Sequence, residues 1–381
     1  MKSIPGQWDY LKSLDKIDRR SWEYQEIIPS RTVRLSTEPV TIDPKIHPQF
    51  SRDMHFVSAP GAIVLFKNAV FHSGDRSIRT ADGEFVPVFT EGLDTLRQHP
   101  ARIKVPKEIR TGKKTVASLF AVTDSYYAWQ VRILSKLYLL MKSGLWKEID
   151  HFLAGDCPHE YQQSLFRHLG IANKIVYGNM FTAVKAGRLV VAASPLEISP
   201  WTCSALKKFL PLHKAPLGRR DELHGLKRVY ISRDDAKNRR VTNEDDVVVL
   251  LKGYGFRKVI LAGLNIADQV RLFRNAEVII GPHGSGFVNA ACCRPGTRII
   301  EFFSPEYVRT MFRGLADECA LDYGYLLCQK AGAGRPSTGR LHMTVNRDRL
   351  AATLELMGIT RRCGPRPHSA GHSRLEKGQA G

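Results

Sequence analysis

The sequence predicts an α/β protein whose second half folds as a parallel, doubly wound sheet. Three observations carry this expectation. From Arg228 onward, short β-branched and aromatic runs alternate with amphipathic stretches of roughly ten residues, the alternation that builds a parallel sheet. A glycine-rich turn, Gly281-Pro282-His283-Gly284-Ser285-Gly286, joins one of those runs to a short apolar helix. The chain has 381 residues, 43% hydrophobic and 25% charged, enough for two domains of ordinary composition.

Residues 1–50 are polar, charged and proline-containing, and read as an N-terminal arm, extended or loosely packed. From Phe56 the pattern becomes β-like. Ala62–Phe66 follows Pro60-Gly61, Ala69–Phe71 precedes a Ser73-Gly74-Asp75 turn, and Phe85–Val88 follows a turn at Thr80–Gly83. These predict a small antiparallel region. Trp129, Ile133, Leu137 and Leu140 recur at helical spacing and predict a helix over 125–147. A strand over 148–153, a helix over 159–169 closed by Gly170, and strands over 174–177 and 188–192 follow. Residues 211–225 hold two prolines, two glycines and several charges, and read as a linker.

In the second half the expected strands are 228–232, 258–261, 278–281, 298–303 and 325–327. The expected helices are 245–252, 266–275 and 306–319. Thr242 with Asp245 three residues on is close to a capping box. Leu350, Leu354 and Met357 share one face of a last helix between Asn346 and Gly358. The implied organisation is an arm over 1–50, an N-terminal domain over 51–215, a nucleotide-binding domain over 216–330, a helical segment over 331–360, and a basic, disordered tail over 361–381.

The formal charge is +20, from 57 Lys and Arg against 37 Asp and Glu. It points to acidic partners: phosphate-rich substrates, an anionic lipid surface or nucleic acid. It also reads as a basic surface with no specific partner. Nucleic acid is not expected, because no recognition motif is present and aromatics do not interleave the basic residues. No run of about 18 apolar residues exists, and the first residues lack a signal-peptide core. The seven cysteines, an odd number without a CxxC pair, fit a reducing compartment; Cys292-Cys293 fits core packing. The expectation is a cytoplasmic protein, attached peripherally to an anionic membrane at its cytosolic face.

The glycine-rich turn at the mouth of a helix lets a phosphate approach backbone N–H groups, and the helix dipole favours negative charge there. A histidine beside such a loop points to a nucleoside diphosphate carrying a reactive group, such as a nucleotide sugar. Arg233 follows the strand 228–232, with Arg239 and Arg240 six and seven residues later. These guanidinium groups can clamp a diphosphate leaving group, or form a solvated basic loop. Glu244, after Asn243, can orient an arginine, meet a sugar hydroxyl, or complement the helix dipole. His283 can contact the diphosphate or the acceptor, or be held locally. Asn289 can fix the short helix or reach a ligand. Glu301 can accept from ribose hydroxyls or be a plain strand-end carboxylate. Gly284, Ser285 and Gly286 form the loop itself. No Asp-x-Asp and no zinc-spaced cluster occurs, so no metal and no cofactor are expected. The nicotinamide fingerprint is incomplete, since Asn289 stands where its last glycine belongs and Glu301 comes too early.

The stretches YISRDDAKNRRVTNEDDVVVLLKGYGF and NIADQVRLFRNAEVIIGPHGSGFVNAACCRPGTRIIEFF resemble glycosyltransferase family 61 over roughly residues 228–327. That family includes bacterial capsular-polysaccharide enzymes and eukaryotic xylosyl- and N-acetylglucosaminyltransferases. SYYAWQVRILSKLYLL and FVSAPGAIVLFKNAVF extend the resemblance more weakly. It implies a GT-B fold, two Rossmann-like domains with a cleft between them, the first on the acceptor side. It also implies inverting transfer from a nucleotide sugar, usually a UDP-sugar, to a glycan, polysaccharide or lipid-linked acceptor. Arg233, Asn243, Glu244, His283, Gly284, Gly286, Asn289 and Glu301 match motif positions. Ser285 replaces the family's alanine. Ala128 stands where the N-terminal motif has a histidine; Asp124, just before the motif, is the substitute general base or a mere helix cap, with His151, His159 and His283 behind it. The alternatives are a non-catalytic polyanion-binding protein on the same scaffold and, third, a nicotinamide-dependent oxidoreductase.

Overall fold

The computed structural model describes residues 18–52, 54–73, 77–87, 107–121, 125–179, 181–193, 195, 198–212, 223, 225–332 and 341–362. The second half forms a five-stranded sheet in which every pair is parallel. Its spatial order is Arg257–Ile260, Arg228–Ser232, Val278–Pro282, Arg298–Phe303, Asp322–Leu327. In chain order this is 2-1-3-4-5, so the winding direction reverses between Arg228–Ser232 and Val278–Pro282, and ligands of such sheets bind where that reversal opens a crevice. The interior strands are buried on both faces, with Val229, Ile279, Ile280, Ile299 and Ile300 all in the core. That explains their unbroken apolar runs. Helices Glu244–Gly253 and Ile266–Asn275 make the first two connections. The helix expected over 306–319 is shorter, Met311–Glu318, because Ser304-Pro305 opens a turn in which the Tyr307 N–H donates to the Ser304 carbonyl.

The first half is a mixed nine-stranded sheet. Ile175–Tyr177, His151–Ala154, Thr115–Ser118 and Thr182–Ala192 are parallel neighbours. Gly61–His72, Ser77–Arg79 and Phe85–Pro87 continue the same sheet with antiparallel pairing. The antiparallel strands expected as a separate small region are thus half of one sheet, and the N-terminal half is not Rossmann-like throughout. The two runs expected at 62–66 and 69–71 are one strand, kept continuous through Asn68 at φ 50°. The strand expected from 148 starts at His151, since Leu145–Glu148 is still turning as a 3-10 helix. Helix Tyr126–Lys142 is the crossover between Thr115–Ser118 and His151–Ala154, and it buries Trp129, Leu134, Leu137 and Leu140.

The expected loose arm is, from residue 18, a strap that joins both sheets. Trp22–Ile28 pairs with Gly61–His72 in the first sheet. The chain then crosses to the second, where Val40 donates to the Tyr323 carbonyl at 2.9 Å and accepts from the Tyr325 N–H at 3.0 Å. Phe50 is fully buried and stacks on Tyr325 with ring centres 4.5 Å apart. Apolar burial of this kind, absent from the polar composition around it, holds the strap down.

Helix Arg347–Leu356 forms as expected, with Asn346 accepting from the Arg349 N–H at 3.0 Å. Most of the 211–225 linker and all of 363–381 lie outside the described residues. One apolar cluster runs through both halves and includes Leu137, Leu206, Phe273, Phe287 and Phe312. Among the described residues no helix is long and apolar enough to cross a membrane.

Candidate functional site

Of the residues singled out by sequence, Arg233, His283 and Gly284 meet at the carboxyl edge of the parallel sheet, at its switch point. Strand Arg228–Ser232 ends at Ser232 and delivers Arg233; strand Val278–Pro282 ends at Pro282 and delivers His283-Gly284. Glycine is required here for close approach. A Cβ on Gly281 would lie 2.4 Å from the Ile231 carbonyl oxygen, and one on Gly284 would lie 2.2 Å from Arg233 Nη1. The Arg233 guanidinium therefore rests directly against the glycine loop. Its Nε donates to the Asn238 carbonyl at 3.1 Å, which fixes the side chain from behind.

Burial pushes Arg233 down to about 10, and the neighbouring charge of Arg239 adds to the shift. Arg239 is lowered for the same first reason, burial. Two partly desolvated guanidinium groups held close together are an unfavourable arrangement that an anion relieves. Arg239 takes a left-handed backbone, φ 59°, and its guanidinium carbon lies 5.4 Å from the centre of the Tyr307 ring. Arg309 approaches the same ring at 4.8 Å. Arg240 points elsewhere, onto Asp234.

His283 is 4% exposed, and its Nδ1 lies 2.8 Å from Glu301 Oε1. The second oxygen of Glu301 accepts from the Tyr323 hydroxyl at 2.6 Å. Glu301 is fully buried two residues before the end of its strand, with both oxygens engaged. Sequence left it as a ribose acceptor or a plain strand-end carboxylate; in the structure it holds His283. The imidazole is packed among Phe303 at 5.2 Å, Phe312 at 5.4 Å and Tyr307 at 6.2 Å.

Asn243 and Glu244 are likewise engaged within the chain. Asn243 makes two bonds to the backbone of Val345, at 2.9 and 3.0 Å, and pins the C-terminal segment. Glu244 accepts from the hydroxyls of Tyr230 and Ser232, both at 2.8 Å, and pairs with Lys258. It stabilises the strand end that presents Arg233, and it opens its helix as expected.

Ser285 is half-buried at the start of the short helix expected after the loop, which is the 3-10 helix Ser285–Cys292. Asn289 is fully buried on that helix, accepting from Tyr126 at 2.8 Å and donating to Gln269 at 2.9 Å. Tyr126 begins the helix that carries Ala128, so Asn289 ties the glycine-loop helix to the N-terminal half. Tyr127, next in line, packs edge-on against Phe312. Asp124 lies outside the described residues, but the N-cap itself is Ser125, whose hydroxyl accepts from the Ala128 N–H at 3.2 Å. His159 stacks on Tyr161, and His151 lies 3.3 Å from the Lys114 amine. Cys292 is raised to about 12 by burial, in keeping with core packing.

Sequence reasoning missed Tyr323, Tyr307, Arg309, Tyr126 and Gln269. Tyr323 depends on the register between strands, which pairs Ile299 with Tyr323. The others depend on loops and on contacts between halves.

The glycosyltransferase 61 family profile matches residues 86–300. A 64-residue stretch is 39% identical to a beta-1,2-xylosyltransferase of Arabidopsis thaliana, covering 17% of this chain and 12% of that protein. A 92-residue stretch is 27% identical to a beta-1,2-xylosyltransferase of Oryza sativa subsp. japonica, covering 22% of this chain and 17% of the relative. The match to these relatives is thus confined to a short segment of each. The family profile spans more than half of the chain and contains every residue of the arginine and glycine-loop cluster up to the end of its match, and on that ground the chain belongs to glycosyltransferase family 61.

Proposed function

We propose that this protein is an inverting glycosyltransferase of GT-B architecture that moves a sugar from a UDP-sugar to a glycan, polysaccharide or lipid-linked acceptor. The observation that carries the reading is the Arg233 guanidinium seated on Gly284 at the switch point, with Arg239 beside it. Guanidinium forks and loop N–H groups neutralise the diphosphate as it leaves, so transfer needs no tightly bound metal. The acceptor approaches from the first half, beyond the helix that starts at Tyr126. The positive charge of the chain supports peripheral attachment at the cytosolic face of an anionic membrane. Calorimetry with UDP tests the donor site. Binding should weaken on Arg233→Ala, and unchanged affinity in that variant removes Arg233 from the site.

Ala128, in place of the family's histidine, favours a second reading, a polyanion-binding protein without turnover. A screen of UDP-, GDP- and CMP-sugars with mass spectrometry of the products separates the two. Binding of acidic glycan without release of any nucleotide supports the second.

A further inference from the structure

His283 sits in an arrangement that a merely structural histidine does not require. Its Nδ1 is held by a fully buried carboxylate, and that carboxylate is itself held by the buried Tyr323 hydroxyl. A carboxylate only accepts, so Nδ1 carries a hydrogen and donates it to Glu301. Among the described residues no hydrogen bond takes up the other ring nitrogen, Nε2. In the neutral ring Nε2 is therefore a lone pair, on an imidazole packed among Phe303, Phe312 and Tyr307.

The charged groups around this ring oppose one another. Glu301, from the adjacent strand, favours a second proton. Arg233 and Arg239, from the loop after Arg228–Ser232, disfavour it. Arg309 lies against the Tyr307 ring, and Arg313, on helix Met311–Glu318, acts on Tyr323. Burial is the largest influence and keeps the imidazole below its ordinary range. A diphosphate on Arg233 and Arg239 reverses the sign of their joint field. It also supplies oxygens that can accept from Nε2.

We propose that donor binding takes up one proton: when a nucleoside diphosphate sugar occupies the arginine pocket, His283 becomes an imidazolium, held through Nδ1 by Glu301 and donating from Nε2 to a phosphate oxygen. The proton comes from solvent, adds to the Nε2 lone pair, and breaks no bond. Glu301 and Tyr323 are positioning residues, setting the ring's tautomer and balancing its charge. The imidazolium then stands beside the bridging oxygen that gains charge as the sugar departs, and the diphosphate leaves with its charge partly neutralised. The inference rests on the donor site proposed above.

The probes are UDP-xylose and UDP-N-acetylglucosamine without acceptor, since their diphosphate has no group of its own that titrates near neutrality. Calorimetry at pH 7 in buffers of different ionisation enthalpy counts the protons exchanged. The expected count is close to one proton taken up, with affinity weakening about tenfold per pH unit over the range in which uptake is complete. His283→Asn should bind with no uptake and no such pH dependence. Glu301→Gln should lower the count, since the charge that stabilises the imidazolium is gone. Nitrogen NMR of the labelled wild-type imidazole gives the same answer without any variant, by a move from a neutral to an imidazolium pattern on adding donor. Donor binding with no proton uptake, or with the ring still neutral, overturns the inference and leaves the donor site standing. Failure of every UDP-sugar to bind overturns the donor site, and this inference with it.

Discussion

Replacing Gly284 by alanine separates binding from folding at the arginine pocket. The backbone at Gly284 is extended, φ −171°, so alanine adopts it without strain. The new Cβ would stand 2.2 Å from Arg233 Nη1. An ordinary contact needs the guanidinium to retreat by about 1 Å or more. It is the far end of a flexible side chain, so the protein yields cheaply, and the stability change should stay within about 1 kcal/mol. The phosphate contact does not yield so easily. A hydrogen bond to a charged group contributes about 1.5–3 kcal/mol, so displacing Arg233 should raise the Kd for UDP by roughly 10- to 150-fold. Calorimetry gives the Kd and urea unfolding the stability. The double variant Gly284→Ala, Arg233→Ala should bind no more weakly than Arg233→Ala alone, because both changes remove the same contact. Full additivity of the two losses, or an unchanged Kd in Gly284→Ala, would refute the placement of Arg233 on the glycine loop as the basis of anion binding.

Tyr126→Phe leaves buried Asn289 without its 2.8 Å donor and should cost about 1–3 kcal/mol in urea unfolding; an unaltered midpoint argues against the link between halves. Phe50→Ala empties a site stacked on Tyr325 and should cost about 3–5 kcal/mol, measured the same way, whereas a loss under 1 kcal/mol contradicts a docked strap. Turnover should survive EDTA, and loss restored by manganese defeats metal independence. Asp124→Asn should abolish transfer with UDP binding and melting temperature intact. Because Ser125 supplies the helix cap, a drop in stability instead points to packing, and near-normal turnover moves the search to His151, His159 or His283.

What could be read from the sequence depended on the range of the interaction. The parallel sheet was legible because each interior strand buries both faces, and each connecting helix has its own apolar stripe. Arg233 and His283 were legible because a residue directly after a strand has only one place to be. The partners of Glu301 were hidden for a physical reason. Its role depends on pairing with His283 and Tyr323 across two neighbouring strands, and register between strands is not written in either strand alone. The merger of parallel and antiparallel strands into one sheet was hidden likewise. Thr182–Ala192 pairs with Thr115–Ser118 on one side and with Gly61–His72 on the other, through partners far away in the chain. The docking of the arm was not legible because composition counts its charges, while its docking rests on Phe50 and a few backbone bonds.

That strap also sets an order of events during synthesis. Ser36 bonds Asp317 across 281 residues, His47 bonds Tyr325 across 278, and Arg349 reaches back 306 to Asp43. A ribosome adding 5–20 residues per second takes roughly 15–60 s to cover such a separation. Throughout that interval Phe50 has emerged and has no partner. When Asp322–Leu327 finally appears, it is the open margin of its sheet until Val40 arrives. An open strand margin is a template for pairing with other chains. The nascent protein therefore carries its own cover for that margin, made first and used last. Removing the first 50 residues should make the chain aggregate late in synthesis, after the second sheet has formed.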